Sequence, residues 1–179
     1  VVLFAGRLDP QKAPDDLLTA FEHFAPKAAD FHLLFAGEGP LKADLQQKAN
    51  SLSCANRIHF CGWQAQIPQL MRAATCLVLP SLWEGMPNVV LEAMASGLPV
   101  ISTRVDGVSE LIQNGEQGTL VATGSPDEIQ QALQDLNTQT ARFTKMAKSA
   151  QALVKNEFTW DSIAEKYDRI YTNLLSLDD

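Results

Sequence analysis

Short apolar runs alternate with amphipathic stretches along most of the chain. The runs are Val1–Ala5, Phe31–Ala36, Arg57–Cys61, Cys76–Leu79, Pro99–Ser102 and Thr119–Val121. Between them apolar residues recur at helical spacing: Leu17, Leu18, Phe21 and Phe24, then Leu41, Leu45 and Leu52, then Ile67, Leu70 and Met71. A fourth helix is predicted over Val89–Ala95 and a short fifth over Val108–Gln113. Strands separated by helices imply βαβ units and a parallel sheet. The strands are nearly continuous in apolar residues, as expected when helices cover both faces of the sheet. After Thr123 the pattern is helical only, over Asp127–Leu136, Ala141–Asn156 and Trp160–Leu175. Ser125-Pro126-Asp127 suits the start of the first of these, with Pro in the opening turn. Trp160 and Tyr167 read as packing anchors of the last helix. The prediction is one α/β domain over residues 1–179, a doubly wound six-stranded Rossmann-like sheet with extra C-terminal helices. No internal repeat or low-complexity linker interrupts it.

Composition adds limits. The 179 residues are 46% hydrophobic and 20% charged, which suits a packed core rather than disorder. A net charge of −7 argues against a nucleic-acid partner. It leaves room for an anionic ligand, because a few cations in one cleft outweigh the global field locally. The three cysteines lack C-x-x-C spacing and the three histidines are scattered, so no metal site is expected. Cys61 and Cys76 lie in apolar runs and are expected to be small buried hydrophobes, in a reducing, cytoplasmic compartment. No apolar run approaches the roughly 18 residues of a membrane span, and no signal peptide is visible. The chain lacks an initiator Met and opens in mid-strand, so further sequence is expected upstream.

A doubly wound sheet binds ligands at the carboxyl ends of its strands, where the strand order reverses. The loop after the first strand, Gly6-Arg7-Leu8-Asp9-Pro10-Gln11-Lys12, carries two cations five positions apart. They fit a diphosphate clamp, Arg as a planar fork and Lys as a point charge. They fit a solvated loop equally well. The segment after the fourth strand, Pro80 through Gly97, says more. Gly85 permits a tight turn, and Pro87 suits the opening of a helix that starts near Asn88. The N–H groups of Asn88 to Val90 would then face the crevice as an anion site. Glu84 and Glu92 stand eight positions apart, before the helix and about a turn inside it. A carboxylate accepts hydrogen bonds from vicinal hydroxyls. Glu92 sits among Val89, Val90, Leu91, Ala93 and Met94, company in which a carboxylate needs a partner. Both carboxylates could otherwise be mere favourable charges at a helix N-terminus. Gly37-Glu38-Gly39-Pro40 lacks the third Gly of a dinucleotide fingerprint and reads as a tight strand-to-helix turn.

Gly6-Arg7-Leu8 with Lys12, and Glu84-Gly85-x-Pro87 completed by Glu92 as a Glu-x7-Glu motif, resemble the group 1 glycosyltransferases of GT-B fold. Gly97-Leu98-Pro99-Val100, the segment Val105–Ile112 and the closing Phe158-x-Trp160 match in the same order. The resemblance covers the C-terminal of that family's two domains. It implies that Arg7 and Lys12 grip the donor diphosphate and offset the charge of the departing nucleoside diphosphate, without metal or other cofactor. By the same resemblance Glu84 contacts the transferred sugar, and the backbone of Met86 to Val89 contacts sugar and phosphate. Glu92 would bind the ribose, and the base would lie against Gly62, Trp63 and Gln64. With Gly6, Gly85, Pro87 and Asn88 these complete the implied donor site. The implied partners are a nucleotide-sugar donor and an N-terminal acceptor domain, through which peripheral membrane association is open. Asp106-Gly107 departs from the family's usual Gly-Gly pair at that place. Retention of anomeric configuration follows from the resemblance alone. A binding-only relative and a sugar-nucleotide epimerase of the same fold stay as alternatives. A dehydrogenase fails on the missing Gly fingerprint, and a response-regulator-like domain on the absence of an acidic cluster after the first strand.

Overall fold

A computed structural model describes residues 1–175. Six parallel strands form one sheet: β1 (Val2–Ala5), β2 (Leu33–Ala36), β3 (Ile58–Gly62), β4 (Cys76–Leu79), β5 (Val100–Thr103) and β6 (Thr119–Val121). Their order is β3-β2-β1-β4-β5-β6, so the direction of winding reverses between β1 and β4. This is the doubly wound arrangement that the alternating pattern predicts. Helices α1 (Pro14–Phe24), α2 (Lys42–Asn50), α3 (Ile67–Ala73), α4 (Asn88–Ala95), α5 (Asp106–Ser109) and α6 (Pro126–Thr138) connect and cover the strands. Two longer helices follow, α7 (Thr140–Glu157) and α8 (Trp160–Leu175).

Alternate strand residues feed two separate cores. Val2, Phe4, Leu33 and Phe35 pack under α1, α2 and α6, where Phe21, Phe24, Leu45 and Leu133 meet them. Leu3, Ala5, Leu77 and Leu79 pack on the opposite face with Val90 and Met94 of α4 and Met71 of α3. Helix α7 joins both: Phe143 and Met146 enter the first core, and Ala150 enters the second.

Three expectations shift. The fifth helix starts at Asp106 and is a single short turn ending at Ser109; beyond it Asn114 bridges Gly118 and accepts from the Leu120 N–H at 2.9 Å. Trp160 and Tyr167 do not anchor α8. Trp160 is 90% exposed and Tyr167 is exposed, since α8 buries none of its residues among those described. Cys76 is fully buried as expected, whereas Cys61 is half-buried; both are free thiols.

Glycine matters where loops meet at the carboxyl edge. A Cβ on Gly37 would lie 1.8 Å from the Gly6 carbonyl oxygen, and one on Gly107 would lie 1.2 Å from that of Gly85. A Cβ added on Gly85 itself would meet nothing within 4 Å, and its φ is not left-handed. The steric demand therefore sits at Gly107, not at Gly85 as the turn reading implied. Gly107→Ala forces backbone apart and should cost on the order of 2 kcal/mol. Calorimetric melting should then show Tm lowered by roughly 2–4 °C per kcal/mol lost, and Gly85→Ala should leave it nearly unchanged. Burial pushes the Cys76 thiol up to about 12. Thiol titration at pH 8, far below that value, should leave Cys76 unlabelled in the native chain and label it after denaturation.

Candidate functional site

The loop after β1 is fixed by its backbone. Gly6 N–H donates to the Ala36 carbonyl at 3.0 Å, Leu8 N–H to Glu38 at 2.9 Å, and Leu41 N–H to Leu8 at 2.9 Å. The bareness of Gly37 and Gly39 is what lets these loops touch, since a Cβ on Gly39 would lie 2.3 Å from the Leu8 carbonyl oxygen. The Leu8 side chain is buried as an anchor. Beyond it Pro10–Lys12 form a 3-10 turn, and Asp9 Oδ1 caps the turn by accepting from the Lys12 N–H at 3.1 Å. Ala13 closes it at φ 43, a left-handed conformation that costs a non-glycine residue about 1–2 kcal/mol. Pro14 then opens α1 with φ already suited to a helix.

Two cations leave this loop in different ways. The Lys12 ammonium lies 2.5 Å from Glu84 Oε1, and the two side chains are only 19% and 6% exposed. Ser81 Oγ donates to the same carboxylate oxygen at 2.6 Å, so Glu84 is held from two sides. Gln11 reinforces the junction: its carbonyl accepts from Leu82 N–H at 2.8 Å, and its side-chain amide donates to the Trp83 carbonyl at 3.0 Å. Arg7 is 76% exposed and its Nε pairs with Asp9 Oδ2 at 3.3 Å. Its terminal amines make no hydrogen bond or ion pair with the described residues, and Arg7 lines the crevice.

The segment from Ser81 to Val90 runs from β4 into α4. Thr103 Oγ1 donates to the Ser81 carbonyl at 2.5 Å, tying its root to β5. Pro87 is extended, with ψ 102, and serves as the residue before the helix rather than its first turn. Its carbonyl takes the Val90 N–H at 2.9 Å, so Asn88 and Val89 supply the open donors of the helix N-terminus. Glu92, four residues after Asn88, shares that face of α4. It is exposed to the cleft, not enclosed by the apolar neighbours that flank it in sequence.

These elements border a cleft of about 400 Å³ at the reversal between β1 and β4. Ala5, Ala36 and Gly37 form its small-residue floor, and Trp63, Ile67 and Val89 its apolar walls. Arg7, Glu38, Gln64 and Glu92 are its polar groups. Gly62 turns the chain out of β3 at φ 69, which leaves the Trp63 indole on the rim. Gln64 is set by donating to the Cys61 carbonyl at 2.7 Å. Thus Gly6, Arg7, Trp63, Val89 and Glu92 meet in one cleft, with Lys12, Glu84, Gly85, Met86 and Pro87 on the adjoining loops. Gln11, Glu38, Ile67 and Ser81 escape sequence reasoning. Only Ser81 carries a local signal, a hydroxyl three residues before a carboxylate. Among the described residues no three His, Cys, Asp or Glu side chains are grouped to hold a metal ion. No described helix is long and apolar enough to cross a membrane.

The family described as group 1 glycosyl transferases matches residues 1–139. An α-1,3-galactosyltransferase of Escherichia coli, named for UDP-Gal and GlcNAc-diphosphoundecaprenol, is 30% identical over 98% of the chain and 46% of its own length. HepE of Anabaena, solved with UDP, superposes at a TM-score of 0.88 and 26% identity, over 96% of this chain and 48% of that one. The C-terminal domain of the Francisella tularensis group 1 protein LpcC superposes at 0.83 and 29% identity, over 89% and 86%. The chain spans about half the length of the first two. By the family match and these relatives, the chain belongs to the group 1 glycosyltransferases.

Proposed function

We propose that the chain is a single donor-binding domain, the C-terminal half of a retaining, metal-independent glycosyltransferase. In this reading it presents a nucleoside-diphosphate sugar to a glycan, lipid or small-molecule acceptor. The observation that carries the reading is a convergence at the β1/β4 reversal. Arg7, Val89 and Glu92 line one apolar-walled cleft, and the Lys12–Glu84 pair joins the β1 and β4 loops that lead to it and to the open amides of Asn88 and Val89.

The chemistry follows from the charges. Breaking the bond between the sugar and the diphosphate leaves negative charge on the phosphate oxygens. In this reading Arg7, Lys12 and the α4 N-terminus meet that growing charge as positive groups held on the scaffold, an effective form of electrostatic stabilisation. They supply what a divalent cation would otherwise supply. Glu84, oriented by Lys12 and Ser81, accepts from hydroxyls of the transferred sugar. Glu92 does the same for the ribose, and the base lies against Trp63 in the cleft. The names of the E. coli and Anabaena relatives favour a uridine nucleotide as donor. The acceptor half lies outside this chain. The exposed stripe of Trp160, Tyr167, Ile170, Tyr171 and Leu174 on α8 suits packing against it. Three free cysteines agree with a cytoplasmic setting.

Titration calorimetry with UDP, GDP and ADP tests this. UDP should bind, and Arg7→Ala and Glu92→Ala should each weaken it by about tenfold or more, the loss expected for a charged hydrogen bond. Equal binding by wild type and both variants would overturn the site assignment. The isolated chain should transfer no sugar, and robust transfer would show that no acceptor half is needed.

A further inference from the structure

A second pocket, of about 270 Å³, opens across the loop that carries Glu84. Trp83 and Glu84 border it on one side, Arg104 and Asp106 on the other, with Thr123 at the end of β6. It lies on the β5–β6 side of the sheet, opposite the cleft wall at Trp63. We propose that this pocket is a subsite for one neutral pyranose unit of the acceptor. This rests on the transferase reading above.

The pocket presents exposed charges, open to a ligand, on a fixed backbone: Arg104 and Asp106 are exposed, as is Trp83. Arg104 is anchored by its backbone, whose N–H donates to the Val121 carbonyl at 2.8 Å. Its guanidinium makes no ion pair or hydrogen bond among the described residues, although Asp106 stands two positions along. The Asp106 carboxylate is equally uncommitted. The Trp83 carbonyl is held by Gln11, while its indole remains 57% exposed beside the pocket.

Three ligand classes can be weighed against this arrangement. A phosphate or carboxylate would satisfy Arg104 but face the like charge of the unpaired Asp106. An apolar group would strip water from Arg104 and Asp106 and return nothing. Sugar hydroxyls both donate and accept, so a vicinal pair can give to Asp106 and receive from Arg104 together. The flat indole offers an apolar face with a polar edge to the C–H side of a pyranose ring. The pocket is smaller than the roughly 300–1,000 Å³ of drug-sized sites, which fits a single ring rather than a chain. Because Glu84 borders it, a sugar held there adjoins the point of transfer.

Ligand-detected NMR on the chain saturated with UDP can read this, with methyl glycosides of glucose, galactose and N-acetylglucosamine against methyl glucuronide as the anionic probe. At least one neutral glycoside should bind in the millimolar range. Trp83→Ala and Arg104→Ala should each weaken it about tenfold, the scale of one lost charged hydrogen bond, while UDP affinity stays within about twofold. Arg104→Lys should recover part of the loss, because a point charge replaces a fork. The proposal is overturned if no neutral glycoside binds, if the variants bind as the wild type does, or if glucuronide binds more tightly than every neutral glycoside. Displacement of the glycoside by UDP-sugar but not by UDP would also overturn it, by making the pocket the seat of the transferred sugar. Failure of UDP to bind would instead defeat the donor-site reading, and glycoside binding would still be readable without nucleotide.

Discussion

The site depends on the junction between the loops that leave β1 and β4. These two strands are neighbours, yet the chain departs from them in opposite directions, and the edge would gape without a tie. Lys12 and Glu84 close it with a part-buried ion pair, backed by Ser81 and by both ends of Gln11. Removing one partner of such a pair leaves the other charge without compensation, which costs more than the pair itself contributes. The same contact orients the carboxylate proposed to meet the sugar and holds back the cation proposed to meet the phosphate. Structure and chemistry therefore draw on one interaction, and its cost of desolvation is met by a hydroxyl and a tight backbone frame.

That frame explains the distribution of strain. Ala13 sits in a left-handed conformation one residue after Lys12, where glycine would be at ease. Gly37 and Gly107 do the converse: their torsions are ordinary, but a neighbouring carbonyl occupies the space of a side chain. Loops from four strands are thereby pressed together at the carboxyl edge, with backbone touching backbone. A cleft built this way keeps its shape before any ligand arrives.

Much of this was legible in the sequence. The strands were plain because β1, β2 and β4 are buried on both faces, which leaves apolar runs without alternation. Cys76–Leu79 and Thr119–Val121 fall where the pattern places them. The Glu-x7-Glu spacing located both carboxylates, but not their surroundings. Glu92 looked enclosed because its sequence neighbours are apolar, yet Val90, Ala93 and Met94 turn to the core while it turns to the cleft. Trp160 and Tyr167 looked like anchors because large aromatics usually pack, and α8 shows a surface instead. Gln11 was illegible: its importance lies in a contact 72 residues away, which no local pattern carries.

Helix α7 carries a consequence of another kind. Its first half lies in one core and its second half in the other, so it crosses the plane that the sheet would otherwise keep as a boundary. Two cores separated by a sheet can in principle loosen independently, one layer of helices peeling while the other stays. A helix rooted in both couples them, because loosening either layer disturbs side-chain packing on the same helix. The molecule is in this sense buckled: the layer that carries the apolar cleft walls at Ile67 and Val89 is tied through α7 to the layer beneath the sheet.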